Sequence, residues 1–253
     1  MRAVATGDAG PMLNPSGISL IRSYAVEAGY QYGKSLGSHD VRLSAVDSTS
    51  GFNLGGALYY TYHRDSPVDG VTQTGHLVGG SLSFPVIDKI FLGANIKYVR
   101  FQDATDTRHS GFTFDGGLTV RPVPQISVGA VAYNLLDLDT PWVPRGYGGG
   151  VAVLPIPALL FAFDMVWTNV YGDATREHAL QFMGGGEFSF AASAALRAGG
   201  GRDGLTENGF ATVGITGLSA EIGAVDLGVR QDLSGQDKST VVSVSMRLFV
   251  PSM

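Results

Sequence analysis

The chain has 253 residues, with 36 glycines, no cysteine, 15% charged residues and a formal net charge of -5. The missing cysteines exclude disulfides and thiolate metal sites, and mild acidity without a basic cluster argues against nucleic acid as a partner. Mean hydropathy is slightly positive at +0.14, yet no stretch approaches the roughly 18 uninterrupted apolar residues of a membrane helix. Two classes remain: a soluble all-β protein, or a membrane barrel whose apolar half is spread over every second position.

The first eight residues, Met1 to Asp8, hold no apolar core long enough for a signal peptide. A barrel has to be exported, so they read as the start of a mature chain whose leader lies outside this sequence. Residues 1–20 do not alternate, and Gly7-Asp8-Ala9-Gly10-Pro11-Met12-Leu13-Asn14-Pro15-Ser16-Gly17 is turn chemistry. Such a segment either folds inside a barrel as a plug or hatch, or trails as a periplasmic tail.

From Tyr24 onward, about 14 candidate strands alternate between two faces. The first sets Tyr24, Val26, Ala28, Tyr30 and Tyr32 against Ala25, Glu27, Gly29 and Gln31. The third sets Leu54, Gly56, Leu58, Tyr60 and Tyr62 on one side, and the fifth sets Ile90, Leu92, Ala94, Ile96 and Tyr98 against Asn95 and Lys97. The sixth sets Phe112, Phe114, Gly116, Leu118 and Val120 against Thr113, Asp115, Gly117 and Thr119. The ninth sets Phe161, Phe163, Met165 and Trp167 against Ala162, Asp164 and Thr168, and the last sets Val242, Val244, Met246 and Leu248 against Ser243, Ser245 and Arg247. Period two over roughly 9 to 11 residues is the length a tilted strand needs to cross hydrocarbon.

Connections sort by parity. Tight turns are expected after the fourth strand (Pro85 to Asp88), the sixth (Arg121 to Pro124), the eighth (Pro155 to Pro157) and the twelfth (Gly217-Leu218). Polar loops are expected after odd strands, at His63 to Thr74, Gln102 to Ser110, Leu136 to Tyr147, Gln231 to Thr240, and after the ninth and eleventh strands. An up-and-down outer-membrane barrel has this pattern, with both termini on the short-turn side. The aromatics give an independent check. Tyr30, Tyr32, Tyr60, Tyr62, Tyr98 and Trp167 end outward-running strands, and Phe112 and Phe114 begin an inward one, as an interfacial girdle requires.

Facing inward are Glu27, Arg42, Asn95, Lys97, Asp115, Asp164, Glu187, Arg197, Asp226, Arg230 and Arg247. Acids and bases balance among them. Isolated buried charges are costly, so they read as a paired interior in a narrow or plugged lumen. No chemistry of catalysis stands out. Gly199-Gly200-Gly201-Arg202-Asp203-Gly204 matches a dinucleotide pattern by letter, but no helix follows to hold a pyrophosphate, and it reads as an external loop. His39, His63, His76, His109 and His178 lack metal-ligand spacing. Ser110 beside His109 points to the opposite face of its strand. The expectation is no catalytic residue, no metal and no cofactor.

Asn14-Pro15-Ser16-Gly17 ahead of an aromatic-rich strand resembles a motif of the FadL-like and PorV-like outer-membrane proteins. Glu187-Phe188, then Ala195-Leu196-Arg197-Ala198-Gly199, then Gly217-Leu218-Ser219 leading to Asp226 is similar to the PorV-type order of C-terminal strands. The resemblance implies an all-β, antiparallel up-and-down barrel of about 14 strands in a bacterial outer membrane, with residues 1–20 as hatch and 21–253 as barrel. It implies a barrel passing hydrophobic or amphipathic small molecules. The other function in that family is a non-transporting scaffold that anchors a secretion, motility or surface-display complex. The partners implied are outer-membrane lipid, a hydrophobic small molecule, detergent or lipid in the lumen, and other envelope proteins.

Overall fold

The computed structural model describes residues 2–5, 9–35, 37–50, 54–66, 72–103, 107–140, 142–170, 178–191, 194–220, 223–235 and 238–250. The strands are β1 Tyr24–Gly33, β2 Ser38–Asp47, β3 Gly55–Asp65, β4 Gln73–Ile87, β5 Ile90–Gln102, β6 Arg108–Val123 and β7 Ile126–Tyr133. They continue as β8 Gly146–Ile156, β9 Leu159–Asn169, β10 His178–Ala191, β11 Ala194–Arg202, β12 Gly209–Ala220, β13 Gly223–Asp232 and β14 Thr240–Phe249. Each pairs antiparallel with its sequence neighbour, and β1 pairs with β14 to close the barrel. Closure matters because lipid offers no hydrogen bonds, and every unpaired backbone group in it would cost several kcal/mol.

The two faces fall where the alternation puts them. Leu58, Leu82, Val213, Phe161 and Met246 are exposed on the outside, where a bilayer would meet them. Their neighbours Ala57, Ser81, Thr119, Ala162 and Asp164 are buried inside. The outer girdle carries a repeated device. The Tyr30 hydroxyl lies 2.7 Å from His39 Nδ1, and Tyr32 packs on the same ring; Tyr60 lies 2.8 Å from His76 Nδ1, with Tyr62 beside it. Trp167 packs on His178 with ring centroids 4.3 Å apart. Three histidines therefore belong to the aromatic belt, where an amphipathic ring is favoured.

Several sequence boundaries move. Pro85, Pro122 and Pro155 lie inside strands, and the tight turns come later, at Asp88-Lys89, Pro124-Gln125 and Pro157-Ala158. A strand proline cannot donate to the ladder. These three sit at or beside register shifts between Pro85 and Ile87, Val120 and Val123, and Val153 and Ile156. Gly217-Leu218 is likewise strand, with a register shift from Gly217 to Ala220. Its turn falls outside the described residues. Gly199-Gly200-Gly201-Arg202 is also strand, not external loop, because these four residues pair with Gly185, Gly184, Met183 and Phe182. A Cβ on Gly200 would stand 2.7 Å from the Phe210 carbonyl oxygen, so the close backbone approach excludes side chains there. Loop parity is not kept at the first two connections: four residues separate β1 from β2, and seven separate β2 from β3.

Residues 2–5 and 9–20 hold a 3₁₀ turn at Arg2–Val4, one α-helical turn α1 at Gly10–Leu13 and a 3₁₀ helix at Pro15–Leu20. They lie against inward positions of β3 through β9. Ala3 packs on Ala152 and Ala162, and Ile18 packs on Val46 and Ala57.

Candidate functional site

At the outer end of β2 to β5, beside Trp142 and Val143 of the loop after β7, lies a cavity of about 480 Å³. One wall is apolar: Leu77, Val99, Phe101, Trp142 and Val143. Trp142 stacks on Phe101 with centroids 5.4 Å apart and meets His63 edge-on at 5.5 Å. The other wall is polar. His63 stands between two carboxylates, 2.7 Å from Asp40 and 3.1 Å from Asp65. A volume within the usual range for a small-molecule site, with an aromatic wall and a few fixed polar groups, is the composition such sites share.

Sequence order explains how this wall forms. Inward period two on β3 runs Ala57, Tyr59, Thr61, His63, Asp65 and brings the polar lining to the outer end, while the inward phase of β5 brings Val99 and Phe101 to the apolar wall. The loop after β7, expected to be external, instead dips into the mouth. Val143 and Asn134 are buried, and Val143 joins Val99 and Phe101 in an apolar cluster. Asn134 begins this inward path with a positive φ of 53°, a conformation asparagine tolerates better than most residues.

Deeper than the cavity, between β5, β6 and the N-terminal segment, lies a polar layer. Lys97 Nζ lies 2.6 Å from Asp115 and donates to Asn134 Oδ1 at 2.6 Å. Asn95 donates to Asp115 at 2.9 Å and to the Pro11 carbonyl at 2.6 Å, and the Asn134 backbone N–H donates to Asp115 at 2.9 Å. One buried carboxylate therefore joins β5, β6, the inward loop and the N-terminal segment. That degree of satisfaction is what a buried charge needs.

The segment is fixed below that layer. Asn14 Nδ2 donates to the carbonyls of Arg2 (3.1 Å) and Leu118 (3.2 Å) and to Thr119 Oγ1 (3.2 Å). Its Oδ1 accepts from the Ser16 backbone N–H (3.2 Å) and hydroxyl (2.7 Å). Pro15 and Ser16 sit over Gly93, and Asn14 and Pro15 over Gly117, where a Cβ on either glycine would collide with them. Gly17 closes on the Ala5 carbonyl in the same way. Arg2 lies 3.4 Å from Asp164, and the Arg2 backbone N–H also donates to that carboxylate at 3.0 Å. Tyr133 donates to the Leu13 carbonyl at 2.5 Å and accepts from Arg2 Nε at 2.7 Å.

The remaining lumen residues assemble elsewhere. Glu27 pairs with Arg247 at 2.9 Å, and Arg197 pairs with Glu187 at 2.6 Å and with Asp226 at 2.8 Å. Arg230 pairs with Asp203 and Asp232, each at 3.2 Å. Arg42 faces the lumen and is exposed. Sequence reasoning did not single out Trp142, Phe101, Asp40, Asp65, Tyr133 or Arg2 as site residues. His63 and Asp65 could have been found by carrying the inward phase of β3 into its loop end. Trp142 carried only the weak signal of a tryptophan in a polar loop. Among the described residues no cluster of candidate metal ligands forms.

No family model matches the chain, and no curated protein matches it. Among solved structures it is similar to the CymD monoaromatic hydrocarbon channel, with a TM-score of 0.78 at 12% identity over 100% of this chain and 95% of that one. The Ralstonia pickettii toluene transporter TbuX gives 0.75 at 13% identity, covering 98% and 95%. A Pseudomonas aeruginosa FadL homologue gives 0.71 at 12% identity, again covering 98% and 95%. Agreement over whole chains at such low identity speaks for a shared architecture, and this chain has the fold of the FadL-like outer-membrane barrels.

Proposed function

We propose that this barrel passes small hydrophobic or amphipathic molecules, of the size of a monoaromatic hydrocarbon, inward across a bacterial outer membrane. The observation that carries the reading is the outer cavity, with Phe101 and Trp142 stacked on one wall and the Asn14-anchored segment lying deeper in the same half of the barrel. Solute transfer from water onto an aromatic wall is favoured by roughly 25 cal/mol for each Å² of apolar surface removed from water. Asp40 and Asp65, held in place by the two ring nitrogens of His63, offer fixed carboxylate acceptors for the substituent of an amphipathic solute.

In this reading Asn14, Pro15, Ser16 and Gly17 are the core of a hatch formed by residues 1–20, and 21–253 form the channel wall. The partners are membrane lipid and the transported solute; chemistry on the solute is no part of the role. Entry would displace Trp142, and the shared Asp115 layer links the loop bearing that residue to Pro11 of the segment. The test is toluene titration followed by tryptophan fluorescence, with uptake into vesicles holding the refolded barrel. Saturable quenching and uptake, both lost in Trp142→Ala with Phe101→Ala, are expected. Uptake by the wild type no faster than by empty vesicles would end the transport reading.

A further inference from the structure

The interior is not uniform. Around β3 to β9 the N-terminal segment covers the wall, and the ion pair there is dry: Lys97 and Asp115 are 9% and 3% exposed. On the opposite side, formed by β10 to β14 with β1 and β2, solvent reaches the charged side chains at successive levels. Arg230 near the outer end is 30% exposed, Arg197 is 39% and Arg247 toward the inner end is 29%. The wall between them is built from small residues, including Gly29, Gly214, Gly228, Ser243 and Ser245. A cavity of about 200 Å³ bounded by Glu27, Arg42, Asp226 and Ser245 adjoins one of about 270 Å³ reaching Arg230. Gln31 and Ser243 line both.

Arg42 distinguishes this side. Each other lumen cation named from the sequence has a carboxylate partner, whereas the Arg42 side chain makes no hydrogen bond or ion pair among the described residues. It lies opposite Gly29, whose other neighbour Ser245 pairs with Asp226. One row across the barrel therefore reads cation, two small residues, acid. An unpaired charge on the wall of a narrow aqueous passage repels cations and attracts anions, because low-dielectric walls focus its field.

We propose a second, hydrated route through the β10–β2 half, which conducts small inorganic ions while the N-terminal segment stays in place, with Arg42 setting its ion preference. The route is separate from the apolar cavity, so it stands or falls independently of hydrocarbon transport. Water accounts for the exposure of the paired charges: Arg197 and Arg230 each face two carboxylates, and Arg42 is a lumen cation whose side chain has no carboxylate partner among the described residues.

The experiment is the current carried by the full-length chain in a planar bilayer under a potassium chloride gradient. Assembly of each variant is verified by heat-dependent gel mobility. We expect a conducting wild type, with Arg42→Gln moving the reversal potential toward that of potassium and Arg42→Glu moving it further. The chain has no cysteine, so Arg42→Cys can be modified after folding, which removes any dependence on refolding of a charged variant. A cationic methanethiosulfonate reagent should return the reversal potential toward wild type, and an anionic one should drive it toward potassium. An assembled wild-type barrel that carries no current would overturn the proposal. So would a reversal potential that stays the same in all variants and after both reagents.

Discussion

Asn14 shows how much structure one side chain can hold. It is fully buried, and all of its polar capacity is used on the segment and on β6. Removing it leaves the Ser16 donors and the Arg2 and Leu118 carbonyls short of a partner, at about 1–3 kcal/mol for a buried group left unsatisfied. Asn14→Ala should therefore raise hydrogen exchange across residues 9–20 while β1 and β14 keep their protection; equal protection in both proteins would remove the anchor role. Lys97 makes a complementary case. Lys97→Met would leave the Asp115 carboxylate buried with neutral donors only, which costs about 3–5 kcal/mol in such pairs. Adding Asp115→Asn should recover part of that loss in a denaturant titration, as coupled neighbours do. No recovery would mean the pair contributes through packing alone.

At the scale of the strand, legibility follows from what period two can and cannot encode. Lipid outside and a polar interior impose opposite demands on alternate residues, so the faces of β1, β3, β5, β6, β9 and β14 were readable from single residues such as Tyr30 or Asp115. The ends were not. Pro85, Pro122 and Pro155 look like turns because proline usually marks them, yet a register shift lets the strand run past each. Gly199 to Gly201 look like loop, yet the glycines are where neighbouring backbones press together. The site was less legible still, because Arg2 with Asp164 and Pro11 with Asn95 are contacts between distant segments that no local pattern records. Adjacent glycines on β6 test the phase directly. A Cβ on Gly116 meets nothing within 4 Å, while one on Gly117 meets Asn14 and Pro15. Gly116→Arg should cost about 2–4 kcal/mol of folding in a bilayer if the position lies near its midplane. Gly117→Ala should leave the strands protected but release the segment to exchange. The reverse outcome would mean that the two faces of β6 are exchanged.

Considered whole, the molecule is a closed wall with an unequal interior, and the wall does not depend on the segment. Every strand pairs with its neighbours, and the closing seam of β1 with β14 runs from Ala25↔Phe249 to Gly33↔Val241 without residues 2–20. Deleting residues 1–20 should therefore leave an assembled barrel. It would also uncover Asp164, Thr119 and Ser83, and remove Pro11 from Asn95, so that water enters the half now filled. Two quantities should then change together if residues 1–20 are the hatch: ion current should rise above that of the full-length chain, and toluene uptake should lose its saturation at low concentration. A rise in current with saturable, unchanged uptake would mean that the segment blocks water without controlling the solute. In that case the hatch role would pass from residues 1–20 to the Lys97–Asp115–Asn134 layer, which the deletion leaves on the wall.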